Sequence, residues 1–460
     1  MADPTSSRGK SAVPTSRFGR LIRLGLMAGE IAIGSAIEGA LRLASGRQAP
    51  GTNALFNLRN AEKLAEGLAK LRGAAMKIGQ LLSMQGEDLL PQELAQVLAT
   101  LRARAYAMPT TQVRSVLGRE YGKGWQARFA EFDEEPVAAA SIGQVHRART
   151  LDGRAIALKI QYPGIARSID SDVDNVAVLL RLLNLLPIEL DVTGLATEAK
   201  RQLHLEADYL EEARHLKRYR RLVADEPDLF VPRVHADLTT RRILAMDFVH
   251  GLPLEALARE GVPQAARDRV GALLERLLFR ELFEFRFMQT DPNLANYLYE
   301  PKRGQVLLLD FGSVREFPFE FVARYARITA AVMHGDRRGV RDLAVEIGYL
   351  AGDDSPERTT ATVDLIFLLC EPLRHRGAYD FARSDLTYRA SELTFFPALQ
   401  RGDLRAPPPE TVFLHRKLIG SFLLCARIGA RVDVRSLILP RLEQYRTSPR
   451  KSGRMPGSPE

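Results

Sequence analysis

Cysteine is nearly absent. Cys370 and Cys425 are the only two in 460 residues, and both sit in apolar segments. Two isolated cysteines exclude a disulfide framework, suit a reducing compartment and read as ordinary core residues. No Cys/His spacing suggests zinc. Long apolar runs are also missing, because no stretch of eighteen uninterrupted apolar residues occurs, and no transmembrane helix is predicted. The nearest candidate, Leu21 to Ala44, is broken by Arg23, Glu30, Glu38 and Arg42. No internal repeat is present. No concentrated basic run with stacking aromatics exists either, so nucleic acid is not expected as a partner. The 65 basic residues exceed the 56 acidic ones by a net +9. That modest excess suits anionic membrane surfaces or phosphate ligands.

What is present can bury a core: 46% of residues are hydrophobic and 26% charged. The length allows one large two-lobed domain with extensions, or two to three small domains. Residues 1–18 and 446–460 (RTSPRKSGRMPGSPE) are polar, basic and rich in breakers, and read as disordered tails. Residues 19–124 form a helical extension. Within it, Leu21 to Ala44 places Ile22, Leu26, Ile33, Ile37 and Leu41 near one side. That helix either packs on the body of the protein or lies on a membrane surface. Asn60 to Leu82 is a second amphipathic helix and carries KIGQ, with Lys77 and Gln80 on one face.

From about Trp125 the pattern changes to short alternating strands, Phe129 to Phe132, Ile142 to Arg149 and Arg154 to Gln161. Asp152-Gly153 marks a hairpin turn. Ile165 to Leu186 and the charged stretch Leu195 to Val223 read as helices, the second long and continuous. Phe230 to Val234 and Arg242 to Phe248 return to strand. Helices dominate from Pro253, interrupted by Asn296 to Tyr299 and Val306 to Leu309. Residues 125–250 therefore form a sheet-containing lobe with inserted helices, and 251–445 a helical lobe. An α+β, protein-kinase-like fold has this order.

The chemistry is concentrated in QTDPNLANYLY and LLLDFGS. Asp291 and Asn296 are separated by four residues, and Asp310-Phe311-Gly312 begins fourteen positions after the Asn. This is the arrangement of a kinase catalytic loop and metal-binding segment. Asp310 and Asn296 supply oxygen ligands for magnesium. Asp291 can orient or deprotonate the acceptor. Lys159, in IALKIQ, is the basic group expected to contact α/β-phosphates, and it needs a carboxylate partner. The stretch LHLEADYLEEARHL offers Glu206, Asp208, Glu211 and Glu212. Periodicity alone puts Glu206 and Asp208 in different directions and Glu212 nearer the Asp208 face. Two features depart from an ordinary protein kinase. The interval from Lys159 to the Glu-rich helix is long, and the loop begins Gln-Thr-Asp rather than His-Arg-Asp.

KIGQ, AAASIGQVHRA, ALKIQYPG, LEADYLEEA, QTDPNLANYLY, LLLDFGS and FLHRKLIGSFLLCARI occur in that order. Together they resemble the UbiB family of aarF-domain atypical kinases, in the branch that supports coenzyme Q biosynthesis. The resemblance spans roughly residues 55 to 440. It implies ATP or ADP with magnesium as ligands, and an ATPase rather than a protein kinase. It also implies contact with a lipid or membrane surface and with quinone-biosynthesis proteins, and leaves room for a homodimer. The implied location is the cytoplasmic face of a bacterial membrane, or the mitochondrial matrix side in a eukaryote. The resemblance makes Glu212 the partner of Lys159 and brings Lys77 of KxGQ toward the nucleotide, beside Glu206 and Asp208. It assigns Ala138, Ala139, Ala140 and Ser141 to the place of a glycine-rich loop, with Met246 and Phe248 as further nucleotide contacts. Leu294 and Ala295 stand where many relatives have Pro and Gly. Phosphotransfer to a small molecule or protein, or a nucleotide-sensing scaffold, are the alternatives to hydrolysis. Alanine disfavours positive φ. The run is therefore expected to present backbone N–H groups to phosphate in a stiffer posture than glycine would.

Overall fold

The computed structural model describes residues 73–74, 77, 108–140, 142–182, 192–390 and 408–447. The expected helix at Leu21 to Ala44, Gln80, Ser141, and the tails before residue 18 and after residue 447 lie outside these. The chain divides into two compact units, 1–218 with 232–249, and 219–231 with 250–460.

The first unit is built on a five-stranded antiparallel sheet, β1 (Phe129–Phe132), β2 (Ala138–Ala139), β3 (Gly143–Thr150), β4 (Ala155–Gln161) and β6 (Ile243–Asp247), in the order β1-β3-β4-β6 with β2 also on β3. β3 alternates toward the core, but β4 is buried at every position from Ile156 to Gln161. A central strand covered on both faces reads as an apolar run, and Lys159 is the charged exception within it. Asp152-Gly153 makes the predicted hairpin turn, with Gly153 N donating to Thr150 O at 3.0 Å. The helices here are α1 (Thr110–Tyr121), α2 (Ile165–Leu182), α3 (Val192–Glu206) and α4 (Tyr209–Leu222), the last turn of which, from Tyr219, belongs to the second unit. α1 buries Val113, Val116 and Leu117.

The expected continuous helix over 195–223 is therefore two helices. The chain breaks at Ala207-Asp208, where Asp208 Oδ1 accepts from the backbone N–H of Leu210 at 3.1 Å and of Glu211 at 3.3 Å. An aspartate satisfying the first free N–H groups of a helix is an N-cap, and capping competes with helix continuation. Gln161 stabilises the break from the sheet, donating from Nε2 to Ala207 O at 2.9 Å.

The second unit contains β5 (Leu229–Phe230), β7 (Leu252–Pro253), β8 (Phe287–Gln289), β9 (Tyr297–Glu300), β10 (Gln305–Leu308) and β11 (Val314–Glu316). One sheet has the order β5-β10-β9-β7, and β8 pairs with β11. Around them lie α5 (Gln264–Phe279), α6 (Phe319–His334), α7 (Arg337–Ile347), α8 (Pro356–Leu369), α9 (Glu371–Arg374), α10 (Leu386–Ala390), α11 (Pro409–Ile428) and α12 (Val434–Thr447). β12 (Tyr379–Asp380) pairs with β13 (Arg431–Val432). α5 is the core helix, buried along Val270 to Phe279 and packed on both α11 and α12. A π-helical segment, Arg280–Phe285, follows it and leads into β8. Helical content with short antiparallel sheets is the α+β architecture expected.

Gly143 opens β3 where the chain passes against β4 and α4. A Cβ there would lie 2.4 Å from Ile160 O and 2.9 Å from the Tyr209 hydroxyl. Backbone cannot yield that distance cheaply. Gly143→Ala is expected to lower stability by about 1–3 kcal/mol, read as a shift of the urea midpoint at unchanged slope.

Candidate functional site

In the first unit, Lys159 and Glu212 are both buried, at 7% and 1% exposure. Lys159 Nζ donates to Glu212 Oε1 at 2.8 Å and Oε2 at 3.0 Å, and lies over the Tyr209 ring at 5.3 Å. Glu212 is thus the partner that Lys159 requires. It stands on α4 because the helix restarts at Tyr209, which turns the first coil of α4 toward β4. Glu206 ends α3 on the other side of the break and pairs with Lys77, which is 1% exposed. A lone helical lysine is usually solvated; this one is buried in an ion pair. Asp208 turns away from both, capping α4 and approaching Arg241 at 3.4 Å. The two acidic residues of E-A-D therefore do separate work.

The alanine run is not a loop of forward-facing amides. Ala138 and Ala139 form β2, paired with Val145 and Gln144. Ala140 N donates to Gly143 O at 2.9 Å and closes the turn on itself. The expectation that this run offers its N–H groups to phosphate is not met at Ala140. Beneath β2, Gln144 Oε1 accepts from Met108 N at 2.7 Å and its Nε2 donates to His146 Nε2 at 2.7 Å. His146 Nδ1 donates to Asp133 O at 2.8 Å, and its ring stacks on Phe132. Burial lowers the pKa of His146. Gln144 and His146 are thus structural, tying the segment before α1 to the sheet. Met246 is buried on β6 opposite Ala157, and Phe248 N donates to Ala155 O at 3.0 Å.

In the second unit, Asn296 Nδ2 donates to Asp291 O and Asp291 Oδ2, each at 3.1 Å. Arg416, on α11, holds Asp291 Oδ1. Asn296 uses its amide nitrogen on Asp291, which leaves Oδ1, the atom a hard cation needs, uncommitted among the described residues. Asp310 Oδ1 accepts from Gly312 N at 2.9 Å. Thr290 occupies the place of a protein kinase's arginine. It is fully buried and bonds Ser313, through N to O at 2.8 Å and between the hydroxyls at 2.9 Å. The segment after Asp310 is thereby fastened to the loop by neutral hydrogen bonds in addition to the β8–β11 pairing.

The partners that Gln289 and the interior of α11 supply to the site could not be read from local pattern. Gln289 Nε2 donates to Asp291 O at 2.8 Å and faces Asp310 O at 3.4 Å. Its Oε1 accepts from Lys417 Nζ at 3.2 Å. Lys417 also meets Tyr297 Oη at 3.2 Å and Glu281 Oε2 at 3.2 Å. The contact to Glu281 Oε2 is an ion pair set off the hydrogen-bond direction. Glu281 Oε1 accepts from Tyr219 Oη at 2.8 Å and Gln289 N at 2.9 Å. Burial alone would lower the pKa of Lys417, but Glu281 and Tyr297 more than offset it and raise it above the usual lysine value. Burial pushes Glu281 the other way. Tyr219 Oη and Gln289 N both donate to Oε1 while the Lys417 ammonium stands against Oε2, a geometry that favours the ionised pair. The available signal was HRK, three consecutive polar residues inside the apolar FLHRKLIGSFLLCARI. Each anchors a different element. His415 Nε2 accepts from Tyr349 Oη at 2.5 Å, Arg416 reaches Asp291, and Lys417 reaches Glu281.

Residues 100–344 match the ABC1 atypical kinase-like domain. The chain belongs to the UbiB family of ABC1 atypical kinases. It is 40% identical over 435 residues to the mitochondrial atypical kinase COQ8B of Rattus norvegicus, covering 94% of this chain and 82% of that one. It is 37% identical over 427 residues to the mitochondrial atypical kinase COQ8 of Saccharomyces cerevisiae, covering 93% and 85%. The solved complex of Rv3197 with erythromycin from Mycobacterium tuberculosis superposes with a TM-score of 0.57 at 25% identity, covering 82% of this chain and 94% of that one. The resemblance read from the motifs, including its coenzyme Q biosynthesis branch, is borne out, and the kinase-like α+β fold with it. A kinase-like domain of this family is a nucleotide-binding one in general terms. Among the described residues no helix is long and apolar enough to cross a membrane.

Two measurements check these contacts. Glu206→Gln leaves Lys77 buried without a charged partner, and a loss of about 3 kcal/mol is expected in chemical denaturation. Combining it with Lys77→Met should restore most of that loss. Burial lowers His415 from 6.5 to about 4. Between those values the unfolded chain binds the extra proton, so stability from this residue is complete above 6.5 and is lost as pH falls toward 4. His415 as a residue is half-buried, so the loss between pH 7.5 and 4.5 should be on the order of 1 kcal/mol, after discounting for solvent screening. His415→Gln should remove that part of the slope.

Proposed function

We propose that the chain is a kinase-like ATPase that binds Mg-ATP and Mg-ADP and supports ubiquinone biosynthesis at a membrane surface. The observation that carries this reading is the joint placement of Asp291, Asn296 and Asp310, held by one glutamine amide and one asparagine amide. No cluster of three or more His, Cys, Asp or Glu occurs among the described residues. A divalent cation would be held by Asp310 and by Asn296 Oδ1, whose amide nitrogen is engaged by Asp291, together with phosphate and water. Magnesium favours that ligand set, whereas zinc does not. When bound, magnesium supplies charge neutralisation of the phosphate oxygens.

The remaining work falls to side chains. Lys159, held by Glu212, takes the α/β-phosphates. Asp291 has each carboxylate oxygen oriented by one donor and keeps lone pairs to position a water or a hydroxyl for attack. Ala138, Ala139, Ala140, Ser141, Met246 and Phe248 form the rest of the nucleotide contacts. Lys77, Gln80, Glu206 and Asp208 regulate access and specificity. The family's place in coenzyme Q biosynthesis and the modest net positive charge support a lipid surface and quinone-biosynthesis proteins as partners. Residues 21–44 are the candidate membrane contact. The mitochondrial names of the COQ8 relatives support a mitochondrial location in a eukaryote; the matrix side there, and the cytoplasmic face in a bacterium, are part of the proposal.

Purified chain with Mg-ATP, with and without anionic liposomes, tests the reading. Phosphate release is expected, and Asp310→Asn should reduce it roughly a hundredfold or more, since the lost stabilisation is several kcal/mol. Asp291→Asn should keep nucleotide binding and lose turnover. A chain that neither binds nor hydrolyses Mg-ATP under either condition rules the reading out. Labelled γ-phosphate on an acceptor instead of in solution replaces hydrolysis by transfer.

A further inference from the structure

The mechanism above uses Asp291 and Asp310 but does not explain what keeps their backbones in register. They are nineteen positions apart in sequence, with β9 and β10 between them. One side chain touches the carbonyls of both. Gln289 Nε2 lies 2.8 Å from Asp291 O and 3.4 Å from Asp310 O. An amide can present either its NH2 or its oxygen in a given direction, and a flipped Gln289 would set an oxygen against two carbonyl oxygens. Something must forbid the flip.

Lys417 does so. An ammonium only donates, so the group facing it must be the amide oxygen. Lys417 Nζ stands 3.2 Å from Gln289 Oε1. Lys417 is itself immobile: it is 4% exposed and held by Glu281 and Tyr297. Glu281 in turn accepts from Gln289 N at 2.9 Å, so the pair grips both the backbone and the side chain of the same residue. Gln289 is fully buried, so water does not compete for these bonds.

We propose that Gln289 is a positioning residue for the metal–nucleotide site, and that Lys417 fixes the sense of its amide. Neither residue touches the nucleotide. Gln289 sets the spacing of the two aspartate backbones, and Lys417 acts through Gln289. This inference rests on the nucleotide-binding reading above.

The test is a double-mutant cycle read by binding. The Kd for Mn2+–ADP and the Kd for ADP in EDTA are measured for wild type, Gln289→Met, Lys417→Met and the double variant, with kcat for ATP alongside. Gln289→Met keeps the volume and removes the amide. It is expected to fold with a Tm within a few degrees of wild type, to weaken Mn2+–ADP about tenfold and to leave metal-free ADP unchanged. A merely structural glutamine would move both constants together or move only Tm. In the Lys417→Met background, Gln289→Met should have little further effect, because the amide is already unfixed; residues acting through one another are non-additive. If Lys417→Met fails to fold because Glu281 is left buried without its partner, the cycle is run in Lys417→Met/Glu281→Gln. The Gln289→Met arm stands whether or not that background folds. A wild type that binds Mn2+–ADP beside a Gln289→Met that binds it equally overturns this inference alone, and so do additive effects. A wild type that binds no nucleotide overturns the proposed function and this inference with it.

Discussion

The second unit is organised around one buried ion pair, Lys417 with Glu281. Taking two such charges out of water costs several kcal/mol per ion, and hydrogen bonds to the remaining lone pairs and protons offset part of that cost. Here Tyr219, Gln289 and Tyr297 complete it. Those residues come from the end of α4, from β8 and from β9, so the pair draws three elements onto α11. Tyr219 extends its influence further. Its ring packs on Phe311 of Asp310-Phe311-Gly312 with centroids 4.6 Å apart, and on Phe287 at 6.4 Å. Burial and the neighbouring Glu281 raise the Tyr219 hydroxyl well above its usual value, so it remains a donor. The Asp310-Phe311-Gly312 segment is therefore fastened by packing from one side and by hydrogen bonds from the other.

The same economy of parts appears at E-A-D in the first unit. A single break between α3 and α4 sends Glu206 toward Lys77, uses Asp208 as a cap and turns Glu212 toward Lys159. A continuous helix would keep Glu206 and Glu212 on a fixed spacing of six residues, about 600° of rotation, which is two-thirds of a turn apart. The break frees the two carboxylates to serve two lysines that lie on different elements. Nothing in the stretch is Pro or Gly, which is why periodicity read it as one helix. The signal lay elsewhere: Asp208 followed three residues later by Glu211 has the form of a capping box.

That case shows what the chain makes legible and what it does not. The loop Asp291 to Asn296, the Asp310-Phe311-Gly312 turn and the Lys159 strand are short motifs whose spacing is set by local geometry, and the structure places them as read. Strand β4 and the Asp152-Gly153 hairpin were legible for the same reason. The contacts that hold the motifs in place were not. Gln289 and Lys417 are 128 residues apart, and no helical or strand period relates them. What a sequence can announce is the oddity of His415-Arg416-Lys417 inside an apolar helix, since a buried charge must have a partner. It cannot say which one. Gly420 is similar. A Cβ there would sit 2.1 Å from the Pro292 ring, so the glycine lets α11 lie directly against the Asp291–Asn296 loop, a constraint set entirely by tertiary packing.

The alanine run turns on the same distinction between local propensity and what packs around it. Glycine in such a stretch would populate positive φ and leave a mobile loop. Alanine does not, and among the described residues Arg286 is the one non-glycine with positive φ. With left-handed backbone disfavoured, Ala138 and Ala139 extend and pair with β3, and the turn contracts until Ala140 bonds Gly143. Gly143 cannot shift inward or carry a side chain, because Ile160 O and Tyr209 bound it on the inner side. The stiffness of this turn thus has two sources, alanine on one strand and a glycine without room on the other. Replacing the alanines by glycine addresses only the first. The turn would gain backbone freedom while its inner edge stayed fixed, so its mobility would be confined to β2 and the residues that follow it.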